Sequence, residues 1–259
     1  FPLLDGMLRM GVEADRTKRT DKYIYDGSNG ESSIRYESQH AIFMAYSQQK
    51  EKWNWKAGVR YEQTNSHLNL FHAQQYKYKH EGFYPYASAT FHLQNGSMNL
   101  TYGFRSQLPT YNQLSTFSLV NSYLQIIHGN PKLKPAIYQQ GAVSWKLGCF
   151  YGRLGYQTAN RFIANNVSWE KGLAVLEYDN IPTAQLYSAT LALASQKKRW
   201  SWNWSVSMAG QFVKQDFDNG MSLTYNRPLL SINLHQLYII SSTWQCWVYL
   251  QYQNTGHVG

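Results

Sequence analysis

The feature that most constrains the fold is a two-residue alternation of apolar and polar side chains. In the segment KKRWSWNWSVSMAGQF, residues 197–212, one phase of the alternation holds Trp200, Trp202, Trp204, Val206, Met208 and Phe212. Ser, Asn and Gln occupy most of the positions between them. Successive side chains of a strand point to opposite faces, so this pattern predicts a strand with one apolar and one polar face.

The same period recurs along the chain. It is found in WNWKAGVRYEQTNS (53–66), FYPYASATFHL (83–93) and MNLTYGFRSQ (98–107), whereas a 3.6-residue period is hard to find. The sequence therefore predicts an all-β protein of about eleven or twelve strands, many of them about ten residues long. Soluble strands average ~5–6 residues, while strands that cross a membrane need ~9–11.

The predicted strands are joined by connections of two kinds. Short ones lie at 49–52, 94–97, 148, 196–199 and 241–243, with the Gly, Asn and Ser content of hairpin turns. Long ones lie near 17–33, 67–80, 108–135, 160–182 and 215–220. Alternation of short and long connections predicts an antiparallel up-and-down meander with two unlike ends.

Composition narrows the possible functions. The formal net charge is +9, but the cations are scattered, which does not favour a nucleic-acid groove. The 2 cysteines, Cys149 and Cys246, form neither a metal-binding pattern nor a disulfide framework. No catalytic motif is found, and Asp216–Gly220 begins like a calcium loop but has Arg227 where the loop requires Glu. We therefore expect no enzyme activity, no metal site and no cofactor.

Tryptophan positions separate a membrane barrel from a soluble sandwich. Many indoles lie at strand ends beside the short connections: Trp53, Trp55, Trp145, Trp200, Trp202 and Trp244. Amphipathic rings favour the membrane–water boundary, whereas a soluble core would place them mid-strand. We expect these residues to form a membrane girdle, with the apolar stripe facing lipid and the polar stripe facing a water-filled lumen. The mean hydropathy of −0.51 does not exclude this, because barrel strands evade hydropathy windows.

Two segments carry a family resemblance. They are GFYPYASATFHLQNGSMNLTYGFRSQLPTYNQL (82–114) and HGNPKLKP (128–135), supported by AGVRYE at Ala57–Glu62. Together they resemble the barrel of TonB-dependent outer-membrane receptors, in the "outer membrane protein beta-barrel" branch, whose members carry a GNPxLKPE-like segment. The matching motif positions are Gly129, Asn130, Pro131, Leu133, Lys134 and Pro135. Physically, this motif also reads as a proline-interrupted junction between a loop and a strand.

The resemblance implies a transmembrane β-barrel of about 22 strands that holds an internal plug. Residues 1–259 would then be one barrel segment, a fragment lacking the plug domain and the terminal strands. It also implies a Gram-negative outer-membrane receptor that takes up a scarce large ligand, such as a metal chelate, an oligosaccharide or a peptide. The implied partners are outer-membrane lipid, the plug of the same full-length chain, a TonB-type energy-coupling protein and a surface lipoprotein.

Candidate ligand-binding residues fall into two groups. Tyr111, Tyr123 and Tyr138 are expected in loops, where their rings could stack on a ligand. Arg60, Arg105 and Arg153 are expected on the lumen side, holding the plug or an anionic ligand. The alternatives that the sequence leaves open are a soluble all-β glycan-binding module and an outer-membrane barrel of another class, including a barrel hydrolase.

Overall fold

The computed structural model describes residues 2–3, 5–22, 32–70, 75–115, 118–122, 124–170, 172–197, 199–216, 222–225 and 227–255, which form strands, turns and irregular segments without a helix. The strands are β1 (Pro2–Leu3), β2 (Gly6–Lys22), β3 (Ser32–Gln49), β4 (Trp53–Leu70), β5 (Gln75–Leu93), β6 (Gly96–Gln107), β7 (Ser118–Ser122), β8 (Gln125–His128), β9 (Ala136–Leu147), β10 (Phe150–Glu170), β11 (Leu173–Lys197), β12 (Trp200–Asp216), β13 (Ser222–Tyr225), β14 (Leu229–Ile239) and β15 (Gln245–Gln253).

One sheet contains all of these strands. Its main path is β1-β2-β3-β4-β5-β6-β9-β10-β11-β12-β14-β15, and every pairing along this path is antiparallel. Within the described residues, β1 and β15 do not pair with each other, so the sheet is open. The predicted antiparallel meander, a partial barrel, is confirmed, and its twelve-strand path agrees with the expected number.

The strand register keeps apolar side chains on one face across the whole sheet. Directly paired residues share a face, and one such row joins Ile42, Tyr61 and Phe83 on three successive strands. Large apolar side chains on this face remain exposed, including Phe83 at 71% and Leu191 at 61%. The opposite face carries the polar phase of the same strands, including Arg60. The apolar face thus has no protein layer over it within the described chain.

Several strands are longer than the sequence indicates. The predicted long connection at 160–182 is wrong, because β10 continues to Glu170 and β11 begins at Leu173. Within the predicted connections at 17–33 and 67–80, residues 17–22, 32–33, 67–70 and 75–80 are also strand. In the 160–182 hairpin, Arg161 and Pro182 are left out of the strand register, and Arg161 has a φ of 57°. The alternation of faces is interrupted there, but the strands continue. Such a local interruption is a bulge-like feature of a continuous hairpin.

Two neighbouring hairpins are staggered along the sheet. Leu193 of β11 lies level with Phe150 at the β9–β10 turn, yet β11 continues to Lys197, 197 − 193 = 4 residues further. The β11–β12 turn is therefore displaced along the strand direction relative to the β9–β10 turn, whereas Gly96 at the β5–β6 turn is level with Leu147. A displacement between hairpins is what tilted strands of a barrel require.

The connection between β6 and β9 is folded back onto the sheet. It contains β7 and β8, and β8 pairs in parallel with β11 at Ala174–Glu177. Its residues Leu114, Leu133 and Pro135 are buried. This packing supplies much of the buried apolar surface at the end of the sheet that lies away from the short turns.

Charge placement on β12 tests which face meets lipid. In the full-length protein, Val206→Arg should destabilise the folded barrel by about 2–4 kcal/mol, the cost of a cation on a lipid-facing midplane position. The control, Ser205→Arg on the adjacent polar-face position, should fold normally. The measurement is the folded fraction in vesicles, read from heat-modifiable mobility on gels across a denaturant series. Equal losses in the two variants would contradict the assignment of faces.

Candidate functional site

A network of charged side chains crosses the polar face from β2 to β6. Arg60 donates from Nη2 to Glu13 Oε2 at 2.7 Å and from Nε to Glu62 Oε1. Glu62 also accepts a hydrogen bond from Ser106 Oγ at 2.9 Å. Arg60 was a sequence-predicted ligand-binding residue, and the structure commits its guanidinium to two carboxylates of the wall. Charge-assisted bonds of this kind fix the side chain in one geometry.

Arg105 and Tyr138 form a second contact on the same face. The Arg105 guanidinium carbon lies 4.6 Å from the centre of the Tyr138 ring, within the range of a cation–π interaction. The expectation that Tyr138 lies in a loop is wrong, because it belongs to β9 and is only 6% exposed. The strand begins immediately after Pro135, where the predicted connection 108–135 ends. The Tyr138 ring thus packs against the Arg105 guanidinium on the polar face.

Some cations of the polar face have no acidic partner. Among the described residues, no carboxylate lies within ion-pair distance of Arg105, Lys146 or Arg153. Arg153 is exposed and lies near the β9–β10 turn, 153 − 150 = 3 residues from the start of β10. Uncompensated positive charge on a wall is available to an anionic group that approaches it.

The folded-back connection 108–135 packs against the polar face of β3, β4 and β5. Leu108, Leu114 and Leu133 face a cavity that is lined on the sheet side by strand residues. Those residues are Arg35, Glu37, Thr64, Ser66, Leu68, Tyr76 and Tyr78. The hydroxyl of Tyr78 is buried and has no hydrogen-bond partner within the described residues. The connection therefore covers part of the polar face instead of extending away from it.

Tyr111 holds this connection between two cations. Its ring lies 4.7 Å from the guanidinium carbon of Arg19 and 5.1 Å from that of Arg35. Arg35 is itself fixed by Glu37 at 3.1 Å and by Ser66 at 2.9 Å. Tyr111 was predicted to stack on a ligand, and the structure instead places arginines of the wall against its ring. Tyr123 lies outside the described residues.

The GNPKLKP segment is fastened to the β10–β11 hairpin. Asn130 Nδ2 donates to the Tyr178 carbonyl at 3.0 Å. Asn180 Oδ1 accepts from the Lys134 amide at 2.7 Å, while its Nδ2 donates to the carbonyls of Lys134 at 3.0 Å and Arg161 at 2.8 Å. Asn180 thus satisfies backbone groups on two segments that are distant in sequence. No sequence pattern indicated this role, because Asn180 lay in a predicted loop.

The other motif residues serve the same junction. A Cβ at Gly129 would lie 2.3 Å from the Ser115 carbonyl oxygen, so the close approach of these two segments requires glycine. Pro135 is fully buried and Leu133 is 3% exposed. Pro131 lines the cavity described above. The motif is thus built into the wall and its connection.

Comparison with known proteins decides what kind of sheet this is. The family model described as "Outer membrane protein beta-barrel family" matches residues 2–258. The chain belongs to this family. It is therefore a protein of the Gram-negative outer membrane, and its apolar face is the lipid-facing side of a partial barrel.

Solved structures of outer-membrane barrels share the fold. The chain is similar to the "Copper transporter OprC", with 14% identity and a TM-score of 0.70, over 96% of this chain and 41% of that one. It is also similar to the FrpB iron transporter from Neisseria meningitidis, with 11% identity and a TM-score of 0.61, over 93% of this chain and 39% of that one. The chain thus spans about two fifths of the length of these proteins. A search of the curated proteins found no match.

In this outer-membrane barrel, the predicted girdle residues lie at the end of the sheet that carries the short turns. Trp53, Trp55, Trp145, Trp200 and Trp202 occupy the lipid-facing phase near that end, and Trp244 follows the β14–β15 turn with 71% exposure. Trp145 lies over Gly152, where a Cβ would meet the indole at 2.1 Å. Two tryptophans depart from the pattern: Trp169 lies at the far end of β10, and Trp247 lies on the polar face.

Asn180 gives a test of the fastened connection. In the full-length barrel, Asn180→Ala should loosen residues 108–135 by about 1–3 kcal/mol, because it removes three hydrogen bonds to the backbone of Lys134 and Arg161, each with a net value of about 0.5–1.5 kcal/mol. Hydrogen exchange of this connection should accelerate accordingly. Asn165→Ala, an exposed asparagine of the same hairpin, is the matched control and should leave exchange unchanged. Equal protection in both variants would show that Asn180 does not hold the connection.

Proposed function

We propose that this chain is the barrel portion of a TonB-dependent outer-membrane receptor that imports a scarce large ligand. The observation that carries the proposal is the size of the barrel to which the sheet must belong. Twelve strands form the main path of an open sheet, and the chain covers only 41% and 39% of two proteins named as metal transporters. At identities below one in six, that likeness concerns the fold, so the transport activity is our inference.

An open sheet in lipid needs further strands to complete it. Every backbone N–H and C=O in hydrocarbon must be paired, and only closure satisfies the two edge strands. We infer that the same full-length protein supplies these strands, giving a barrel of about 22, and a plug domain inside it. Residues 1–259 are then a single segment of that barrel.

The polar face supports a lumen occupied by protein. Arg105, Lys146 and Arg153 are cations without carboxylate partners among the described residues, and they face the lumen. Carboxylates of the plug are the first partners we propose for Arg105 and Arg153, and an anionic ligand is the second. Arg60 already forms ion pairs with Glu13 and Glu62 of the barrel wall, so its proposed role is to hold these lumen-facing side chains in place.

The ligand class follows from the resemblance, and so do the energy source and the partners. We propose a metal chelate, an oligosaccharide or a peptide, driven inward by a TonB-type protein and delivered with or without a surface lipoprotein. The proposed activity is transport, without a catalytic step. The soluble glycan-binding alternative required two packed layers, whereas the described strands form one sheet.

Energy dependence is the decisive property. In cells that express the full-length protein, accumulation should be measured for ferric catecholate and hydroxamate chelates, Cu(II), maltoheptaose and a peptide mixture. We expect one of these probes to accumulate only while the inner membrane is energised and TonB is present. Uptake of small solutes that continues in uncoupled cells would instead identify a passive barrel of another class and would overturn the proposal.

Arg153→Glu distinguishes the two proposed uses of the lumen cations. If Arg153 holds the plug, the variant should leak small antibiotics while its ligand Kd stays unchanged. If it holds an anionic ligand, Kd should rise by about tenfold or more, the cost of one charge-assisted contact. Lys50→Glu at the β3–β4 turn is a charge-matched control outside the lumen and should change neither property. A normal barrel and normal Kd in Arg153→Glu would remove Arg153 from the proposal.

A further inference from the structure

The lipid-facing side carries a groove that none of the transport features uses. It has a volume of about 710 Å³ and runs over strands β9 to β12. Small residues form its floor, namely Gly141, Ala189 and Gly210, and the larger side chains of Leu154 and Met208 stand beside them. Leu154 is 52% exposed and Met208 is 50% exposed, so the groove opens outward toward lipid.

A side chain can be added at Gly141 without a clash. A Cβ added there would meet Tyr102 Cδ2 at 3.6 Å and the Thr101 carbonyl oxygen at 3.8 Å, which are ordinary contacts. Gly155 belongs to the opposite, polar face and has no such room, because a Cβ there would lie 2.6 Å from Ser188 Oγ. Gly141 therefore leaves room for a side chain on the lipid side, bordered by Tyr102.

A polar row closes one end of the groove. Gln139, Thr158 and Gln185 are direct register partners on three adjacent strands, one step beyond the groove. The hydroxyl of Tyr187 donates to Gln185 Oε1 at 3.5 Å, and Gln139 Nε2 donates to the hydroxyl of Tyr102 at 2.7 Å. The hydroxyls of Tyr187 and Tyr102 thus point to this row, and the groove itself is lined almost entirely by carbon.

The groove runs from the middle of the lipid-facing belt toward the end away from the short turns, and Leu154 is 154 − 150 = 4 residues from the start of β10. Tyr156 is 156 − 150 = 6 residues from the start of β10, and Tyr187 is 197 − 187 = 10 residues from the end of β11. A strand needs ~9–11 residues to cross the hydrocarbon, and short turns of such barrels face the periplasm. The polar row therefore lies near the extracellular boundary, and the groove extends from this row toward the middle of the membrane.

We propose that this groove binds an acyl chain of lipopolysaccharide, with the lipid headgroup beside the row of Gln139, Thr158 and Gln185. An acyl chain needs apolar walls and no hydrogen-bond partners along its length, as the groove provides. Amide and hydroxyl groups at its end suit the amide and ester linkages of the headgroup. An α-helix of a second protein is ~10 Å across, so a groove of this volume would seat less than about two of its turns.

Retention of lipid on the purified full-length protein tests the proposal. Native mass spectrometry should compare the wild type with Gly141→Leu and Ala189→Leu, which fill the groove from its floor. After reconstitution with lipid A and phosphatidylethanolamine at equal amounts and return to mild detergent, we expect the wild type to retain lipid A. Each filled variant should retain roughly threefold less lipid A than the wild type, or lower still. The loss reflects packing in the groove, because the rest of the lipid-facing surface is unchanged.

Ala57→Leu is the matched control, since Ala57 faces lipid on β4 outside the groove. It should retain lipid A as the wild type does, and heat-modifiable mobility should show all the variants to be folded. Three results would each overturn the proposal. The filled variants would retain as much lipid A as the wild type, the wild type would retain phosphatidylethanolamine as well as lipid A, or the wild type would form a dimer that the filled variants abolish. None of these results depends on the transported ligand, so uptake can fail its own test independently.

Discussion

Pairing of backbone groups in hydrocarbon is the constraint on which the structure depends. A strand in lipid has no water to satisfy its N–H and C=O groups, so each strand must be paired along both edges. The continuous antiparallel register from β2 to β15 meets that requirement within the sheet. It also frees the side chains to divide by face, with carbon toward lipid and charge toward the lumen. The alternation in the sequence is the direct consequence of this division.

The lumen side is shaped by contacts that the strand pattern does not determine. The connection 108–135 returns to the wall, where Tyr111 lies between Arg19 and Arg35 and where Asn180 binds Lys134. A polar wall in water would not retain a long connection by itself, because ordering the chain costs conformational entropy. Burial of Leu114, Leu133 and Pro135 offsets that cost. The proposed lumen is therefore a partly filled space.

The sequence was a good guide where its pattern was regular and a poor one where the pattern was interrupted. Period-two alternation predicted both faces of β4 and β12, because side-chain direction follows directly from strand geometry. It failed at 160–182, where Arg161 and Pro182 break the register locally and a continuous hairpin was read as a loop. Asn180 and Tyr138 were misjudged for a related reason: their partners are distant in sequence. Only the folded sheet brings such partners together.

Accessibility along one strand tests the central claim most directly. In the full-length protein in bilayers, with Cys149 and Cys246 replaced by serine, spin labels should be placed singly at each position from 203 to 208. Labels at 204, 206 and 208 should collide with oxygen, which concentrates in hydrocarbon, and labels at 203, 205 and 207 should collide with water-soluble nickel chelate. Loss of this alternation, with 204, 206 and 208 shielded from both reagents, would place the indoles in a packed protein core and contradict the lipid-facing assignment.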